Sequence, residues 1–296
     1  MENFTIKIVT DLSEAKFYWD TLVVQKTIFD NWDFRFCFYK YFNYPLQFYV
    51  GFVGDEPIGL LPLQYNQDEN RLEFFGERFM EDNKVSIKAG FEKFIPEFYA
   101  NLPDKAKLEY IIGNDEFTEN FKVLDYKYFL NLNTLKSGED YLQTYFDSES
   151  RGKLKRKLKK ITQEKIQVLE NNFSDVEFLI QFKIDRFKES STFNWPHRKE
   201  IFRDILKLPM KIFLNSFLLN GELQGVSLSI LYNHDYAFVN FATKQDAFPN
   251  FSTFINMYNI EQAIKNGAKN FNAFAGDYGW KELWHLEKSP QYAYYK

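Results

Sequence analysis

The chain has 296 residues, of which 45% are hydrophobic and 20% aromatic, enough apolar material for one large or two ordinary globular domains. No apolar run reaches the ~18 to 20 residues of a membrane-spanning helix, and the first residues lack the basic-then-apolar order of a signal peptide, so a cytoplasmic location is expected. The single cysteine excludes an intrachain disulfide, and three scattered histidines show no ligand spacing, so no structural metal is expected.

The charge is distributed unevenly. The formal net charge is −4, yet residues 151–160 hold seven basic side chains and no acidic one. The rest of the chain therefore carries a net charge of −11, and the basic segment is a local feature of an acidic protein.

The first half alternates helical and extended patterns, with a tight turn at Gly54-Asp55. Its predicted elements in chain order are a strand (4–9), two helices (12–23, 32–42), three strands of a meander (47–53, 58–65, 72–75), a helix (84–99), a strand (108–112), a short helix near 117 and a strand (126–132).

The second half contains Asn220-Gly221, the strongest hairpin signal of the chain. Ser252 is predicted to cap a helix that Gly267 ends. The predicted elements are helices (138–146, 149–163), a strand (166–169), helices (174–189, 197–206), strands (211–219, 222–232, 236–242), the helix from 252, a strand (270–274), a short helix from 280 and a strand near 292.

An internal repeat organises these elements. Residues 48–63 align without a gap on residues 214–229, which places Glu56 over Glu222 and Gly59 over Gly225. The fold class predicted is α+β, with a mixed, mostly antiparallel sheet flanked by helices in each half and a cleft between the halves. The predicted domains are 1–135 and 136–296.

Four segments carry a family resemblance: the meander sequences GLLPL (59–63) and LEFFG (72–76), the basic run 151–160, and GDYGWKELW (276–284). Together they resemble the FemAB/CelD-like branch of the GNAT acyltransferases, in which two GNAT-type domains occur in tandem. The resemblance implies a degenerate first domain and a second domain with the donor site. It also implies transfer of an acyl or aminoacyl group from a thioester or ester to an amine.

In such enzymes the protein mainly positions two substrates, and the chain indeed has no Gly-x-Ser-x-Gly elbow. Lys281 matches the Fem lysine that is implicated in stabilising the developing charge, and the alternative is a solvated lysine on a short helix. Asp277 and Glu282 flank it as candidate bases, although Asp277 equally suits a helix N-cap. Tyr278 is the candidate general acid to the leaving thiolate.

The donor segment departs from the usual GNAT pattern. Residues 243–252 lack the glycine pair of the loop that cradles the coenzyme A pyrophosphate. Phosphate binding would instead use the helix start at Ser252 with Lys244 and Asn250. Acyl-CoA or acetyl-CoA is the implied co-substrate, and acyl carrier protein and aminoacyl-tRNA are the other candidates. The segment after Phe75 lacks the loop, so the first half is expected to bind no donor.

The basic run predicts an amphipathic helix with an apolar seam of Leu154, Leu158 and Ile161. Its functional interpretation is a docking site for an anionic carrier such as acyl carrier protein or transfer RNA, contacted by Arg151 and Lys155. The alternative is a solvated basic face.

Glu77, Trp280 and Trp284 are the candidate acceptor-binding residues, for a small-molecule or lipid amine. The leading hypothesis is an N-acyltransferase. The first alternative is a Fem-type transferase that uses aminoacyl-tRNA, although the chain lacks the long helical hairpin of typical Fem ligases. The second is a non-catalytic nucleic-acid-binding module, which the net acidity disfavours.

Overall fold

The computed structural model describes residues 3–113, 117–118, 121–276 and 279–296. The chain forms two units, with 1–127 and 288–296 in unit 1 and 128–287 in unit 2. The predicted boundary at 135 therefore lies within unit 2, and the closing strand, predicted as part of the second half, belongs to unit 1.

The strands in chain order are β1 (Phe4–Val9), β2 (Leu46–Val53), β3 (Glu56–Asn66), β4 (Arg71–Phe74), β5 (Ser86–Ile87), β6 (Lys107–Ile111), β7 (Lys122–Asn131), β8 (Ile166–Glu170), β9 (Lys211–Leu219), β10 (Glu222–Tyr232), β11 (Asp235–Thr243), β12 (Asn270–Asn272) and β13 (Glu287–Tyr295). The α-helices are α1 (Leu12–Leu22), α2 (Trp32–Phe42), α3 (Ile95–Ala100), α4 (Gly138–Tyr145), α5 (Ser148–Thr162), α6 (Val176–Phe187), α7 (Arg198–Ile205), α8 (Phe251–Lys265) and α9 (Trp280–Leu283).

Unit 1 is built on an antiparallel sheet in the order β1-β2-β3-β4, in which β5 also pairs with β3. Its helices begin where the sequence provides acceptors: the Asp11 side chain accepts the Glu14 N–H before α1, and Asn31 accepts the Phe34 N–H before α2. Two apolar clusters pack in this unit, one around Trp19 and Phe75 and the other around Phe98.

The single helix predicted over 84–99 is wrong. Residues 86–87 form β5, and the Lys88 N–H donates to the Ile58 carbonyl, so this segment completes the sheet. Gly90 follows with a φ of 90°, a conformation that a helix cannot contain, and a 3₁₀ turn and the short α3 come after it. Pairing with a distant strand overrides the local helical pattern here.

Unit 2 contains a mixed sheet in the order β7-β12-β11-β10-β9-β8, where β11 and β12 are parallel and the other pairs are antiparallel. A large apolar cluster forms between this sheet and helices α4, α5 and α8. The predicted seam of α5 is confirmed, since Leu154 and Ile161 are buried and Leu158 packs against the same cluster. The predicted end of α8 is confirmed as well, because Gly267 has a φ of 73° two residues after Lys265.

The repeat predicted from the sequence recurs as structure. Each of the eight residue pairs that join β2 to β3 recurs 166 residues later between β9 and β10, from Val53 with Glu56 and Leu219 with Glu222 onward. Both ladders carry one extra residue at the same place, Ile58 in β3 and Gln224 in β10. The two units therefore share a hairpin down to its bulge.

Candidate active site in the second unit

The loop after β11 takes its shape from the bulged residue of β10. The Gln224 carbonyl accepts the Lys244 N–H at 2.8 Å, and its side-chain Oε1 accepts the Phe248 N–H at 3.0 Å. Gln224 is buried, so these bonds are shielded from water and hold both ends of the turn. The sequence reasoning missed this residue. The available signal was the polar Gln224 beside the repeat glycine Gly225, where the first copy has Ile58.

Strand β11 is irregular and extends past its parallel neighbour. Leu228 pairs with Asn240 and Ile230 with Ala237, so β11 carries one extra residue over this step. β12 pairs only with residues 235–237 of β11. Among the described residues, the stretch 238–243 thus has a strand on one side only, and we call it the free stretch of β11. Its other edge offers backbone groups to an extended ligand.

A cavity of about 260 Å³ lies where β11 ends and α8 begins. Among the described residues, its lining includes two cationic side chains, Arg186 and Lys244, and no acidic one. The remaining lining residues are Thr243, Gln245, Ala247, Phe248, Pro249, Asn250, Phe251 and Ser252. Lys244 is 3.4 Å from the exposed Asp246, a contact that contributes little in water. The cavity therefore suits an anion.

The start of α8 faces this cavity. Ser252 is not the N-cap that the sequence predicts: α8 begins at Phe251, and Asn250 precedes it with a φ of 63° and no side-chain capping bond. In the described part of the chain, neither the Ser252 hydroxyl nor its N–H has a hydrogen-bond partner. The amino end of this 15-residue helix carries a partial positive charge that favours an anion.

Buried polar groups fix the position of α8 against the sheet. The Gln262 Oε1 accepts from the Tyr236 hydroxyl at 2.7 Å and from the Asn215 side chain at 2.9 Å. The Ser229 hydroxyl donates to the Asn259 Oδ1 at 3.1 Å. Burial raises the pKa of Tyr236, so its hydroxyl keeps its proton. A network of this kind specifies a single packing position for α8, because a shifted helix would leave these buried polar groups without hydrogen-bond partners.

The five predicted donor residues separate into two groups. Lys244, Asn250 and Ser252 line the cavity together. Arg151 and Lys155 lie on α5 and are absent from its lining. The Lys155 ammonium donates to Glu139 at 2.6 Å, and this bond lowers the pKa of the Glu139 carboxyl.

Lys281 is buried, with 2% of its surface exposed, rather than solvated on α9. Its Nζ donates to the carbonyls of Phe274 and Ala275 at 2.8 and 2.6 Å and lies 4.8 Å from the Tyr128 ring centre. The ammonium thus binds the loop that follows β12. The neighbouring candidates Asp277 and Tyr278 lie outside the described residues, and Glu282 is exposed.

The predicted acceptor residues lie in three different settings. Trp280 is partly buried, and its ring centre is 6.0 Å from that of Phe241 on the free stretch of β11. Trp284 is buried in the core, stacked on Tyr141. Glu77 belongs to unit 1, where its side chain accepts the Phe79 N–H at 3.3 Å.

Two cationic residues of α6 escaped the sequence reasoning. Arg186 lines the cavity, and Lys183 lies one helical turn before it, with Nζ 5.8 Å from the Phe241 ring centre. Burial, together with repulsion from Arg186, lowers the pKa of Lys183 to about 8. The signal in the sequence was a lysine within the otherwise apolar run from Phe182 to Ile184.

Within the described ranges, no helix is both long and apolar enough to span a bilayer. The same residues bring together no group of three His, Cys, Asp or Glu side chains of the kind that holds a metal.

Comparison with known proteins finds a family match within the second unit. Residues 148–282 match the acetyltransferase (GNAT) domain family, whereas no curated protein matches the chain. The match spans α5 to α9 and so contains the cavity, the free stretch of β11 and Lys281.

Several solved structures share the fold over nearly the whole chain. FemX has a TM-score of 0.64 at 10% identity, covering 99% of this chain and 97% of its own. L-PGS from Bacillus licheniformis has a TM-score of 0.62 at 11% identity, covering 97% and 92%. A tandem GNAT protein from the clavulanic acid biosynthesis pathway has a TM-score of 0.56 at 8% identity, covering 98% and 97%. Residues 148–282 therefore carry a GNAT-type acetyltransferase domain, and the whole chain shares the α+β fold of FemX and of the tandem GNAT protein.

Proposed function

We propose that the protein is an N-acyltransferase that moves an acyl group from a thioester, carried by coenzyme A or an acyl carrier protein, to an amine. One observation carries the proposal. In the part of the chain that the structure describes, the cavity at the end of β11 combines the unpartnered N–H and hydroxyl of Ser252 with the cations Lys244 and Arg186, and no acid lines it.

The cavity supplies what a phosphate needs. A helix amino end stabilises an anion by typically 0.3 to 1 kcal/mol, and two nearby cations add charge-assisted hydrogen bonds. Coenzyme A and the phosphopantetheine arm of a carrier protein both present phosphate next to a long, amide-containing arm. That arm can run along the edge of residues 238–243, where its amides meet unpaired strand groups.

The reaction needs little covalent help from the protein. The neutral amine attacks the thioester carbonyl, a C–N bond forms, the C–S bond breaks, and the thiolate leaves and takes a proton. Donors aimed at the carbonyl oxygen stabilise the charge that develops there, and the free edge of β11 carries such N–H groups. Asp277 and Tyr278 remain the proposed proton carriers.

Under this proposal Lys281 is a positioning residue. Its ammonium holds the carbonyls of Phe274 and Ala275, directly before the segment that carries Asp277 and Tyr278. Trp280 is the proposed acceptor platform, because its partly exposed ring adjoins Phe241 on the free stretch of β11. The proposed acceptor is a small-molecule or lipid amine.

The basic helix α5 is the proposed dock for an anionic carrier. Among the described residues, two of its seven cations form exposed ion pairs, Lys153 with Glu149 and Lys155 with Glu139. Exposed pairs of this kind are weak and exchange readily with another anion. A transfer RNA would use the same surface, so the aminoacyl-tRNA alternative differs in the donor rather than in the dock.

Thermal unfolding in the presence of candidate donors tests the proposal. A ligand at 100 times its dissociation constant adds about 2.7 kcal/mol to the free energy of unfolding. We expect stabilisation by acetyl-CoA or a longer acyl-CoA, less by pantetheine, which lacks the phosphates, and a loss of the effect in Lys244→Ala. Stabilisation by aminoacyl-tRNA and by no thioester would establish the alternative instead.

A further inference from the structure

Lys183 is an amine that has no carboxylate partner among the described residues. In the described part of the chain its Nζ makes no hydrogen bond or ion pair. It lies instead 5.4 Å from the ring centre of Phe187 and 5.8 Å from that of Phe241. Other lysines of this unit, such as Lys155 and Lys207, pair with acids at 2.6 and 2.7 Å. Lys183 is therefore held by apolar surface and aromatic faces.

Two independent contacts place this amine beside the proposed donor. Arg186, three residues later and on the same side of α6, lines the cavity. Phe241 lies on the free stretch of β11, two residues before Thr243, which also lines the cavity. The ring of Phe241 also contacts Trp280, the proposed acceptor platform. Lys183 thus adjoins the stretch along which the proposed donor arm runs.

The surroundings of Lys183 disfavour its charge. Burial lowers the pKa of its ammonium to about 8, and the nearby Arg186 adds repulsion. Glu177, the carboxylate at the start of α6, lies nearly two helical turns before Lys183 and is paired with Arg203. At pH 7 the fraction of neutral amine is then on the order of 200 times that of an ordinary lysine. A neutral amine is the nucleophile that attacks a thioester.

We propose that Lys183 is an acyl-accepting site of this protein, which takes the acyl group of the bound donor when no amine substrate is present. The lysine nitrogen attacks the thioester carbonyl, the C–N bond of an amide forms, the C–S bond breaks, and the proton of the nitrogen passes to the leaving thiolate. The product is N-acyl-lysine and free thiol. The proposal rests on the proposed function, since that function supplies the thioester.

Acylation of Lys183 would change the site in a defined way. The amide carries no charge, so Arg186 loses its repelling neighbour. The added acyl group extends from the side chain toward the rings of Phe187 and Phe241, and we expect acylated protein to bind acyl-CoA more weakly than unmodified protein does.

The experiment uses the full chain with acetyl-CoA and no acceptor. Binding is followed by thermal shift, and acetylation is measured at each lysine by mass spectrometry of peptides. The exposed Lys157 on α5 is the internal reference. We expect acetylation of Lys183 at least tenfold above that of Lys157, rising between pH 6 and 8. A Lys183→Arg variant should bind acetyl-CoA and remain unmodified at this position.

Stabilisation by acetyl-CoA with Lys183 acetylated no more than Lys157 would overturn this proposal and leave the proposed function intact. The absence of both stabilisation and acetylation, with acetyl-CoA and with longer acyl-CoAs, would overturn the two together. Preferential labelling of Lys183 by the small reagent N-hydroxysuccinimidyl acetate, but not by bound acetyl-CoA, would also contradict the proposal, because the amine would then be reactive without facing the donor.

Discussion

The hairpins β2–β3 and β9–β10 have the same register and the same bulge, yet the strand that follows each behaves differently. In unit 2, β11 stays paired with β10 and gains a single extra residue. In unit 1, Leu63 of β3 pairs with Phe74 and Leu60 of β3 pairs with Ser86. The partner strands are therefore separated by twelve positions over a step of three positions in β3. Nine residues thus leave the sheet where unit 2 has a one-residue bulge.

The segments that contact the bulged residues, and the helices that follow them, differ between the units as well. Lys88 in unit 1 donates its N–H to Ile58 as Lys244 does to Gln224, so these two lysines are equivalent. The counterpart of the donor segment therefore follows Ile87 and not Phe75, where the sequence reasoning placed it. Lys88 is paired with Glu56 at 2.8 Å, and the helix that follows has six residues instead of fifteen. The hairpin is thus common to both units, whereas the cavity with Arg186 and Lys244 and the fifteen-residue α8 belong to unit 2.

Arg35 organises the nine-residue departure in unit 1. Its buried guanidinium donates to the Phe75 carbonyl at 2.7 Å and to the Asn83 Oδ1 at 2.9 Å. Burial lowers its pKa to about 10, and Asp30 and Asp82 oppose that shift, so the group stays charged at neutral pH.

Removing this anchor should have the largest effect on stability. In Arg35→Met, several buried acceptors lose their donor at once, and we expect the free energy of unfolding of unit 1 to fall by about 3 to 5 kcal/mol. Denaturant unfolding measures the loss. The partly exposed Arg203, which pairs with Glu177, is the control, and Arg203→Met should cost less than about 1 kcal/mol. Equal losses in the two variants would show that the departure does not depend on Arg35.

The two repeat glycines provide a matched pair of substitutions. A Cβ at Gly225 would lie 2.9 Å from the Ala242 carbonyl oxygen, which belongs to the paired strand and cannot move cheaply. A Cβ at Gly59 would meet the Ile87 Cδ1 and the Phe98 ring, which are side-chain ends. We expect Gly225→Ala to cost about 2 to 3 kcal/mol and Gly59→Ala about 1. The reverse order, measured by denaturant unfolding, would contradict this reading of the two hairpins.

Exchanging the bulged residues tests what Gln224 contributes. Gln224→Ile gives unit 2 the residue of unit 1 and leaves the Phe248 N–H without its acceptor, at a cost of about 1 to 2 kcal/mol. We also expect about tenfold weaker binding of acetyl-CoA, because the turn at the cavity loosens. The exposed Gln245, which lines the same cavity, is the control position. Unchanged affinity for acetyl-CoA in Gln224→Ile would show that donor binding does not depend on this turn.

The sequence predicted the parts that depend on local pattern. The repeat, both hairpins and the end of α8 at Gly267 follow from alternation, turn residues and a glycine in the left-handed region. It did not predict β5, because that strand exists only through pairing with Gly59 and Leu60. The burial of Lys281 escaped prediction for a similar reason, since its partners Phe274 and Ala275 approach it only when the loop folds back. The hydrogen bonds of Gln224 depend on strand register, and the surroundings of Lys183 depend on helix packing. Neither can be inferred from a single segment of the sequence.

The central claim is that the amino end of α8 binds the anionic donor. Ser252→Asp tests it most directly, because a carboxylate there should stabilise the helix by about 0.3 to 1 kcal/mol while it repels phosphate. Titration calorimetry with acetyl-CoA should show at least tenfold weaker binding for Ser252→Asp than for the neutral control Ser252→Asn, with the melting temperature unchanged or higher. Equal affinity in the two folded variants would contradict a donor site at this helix.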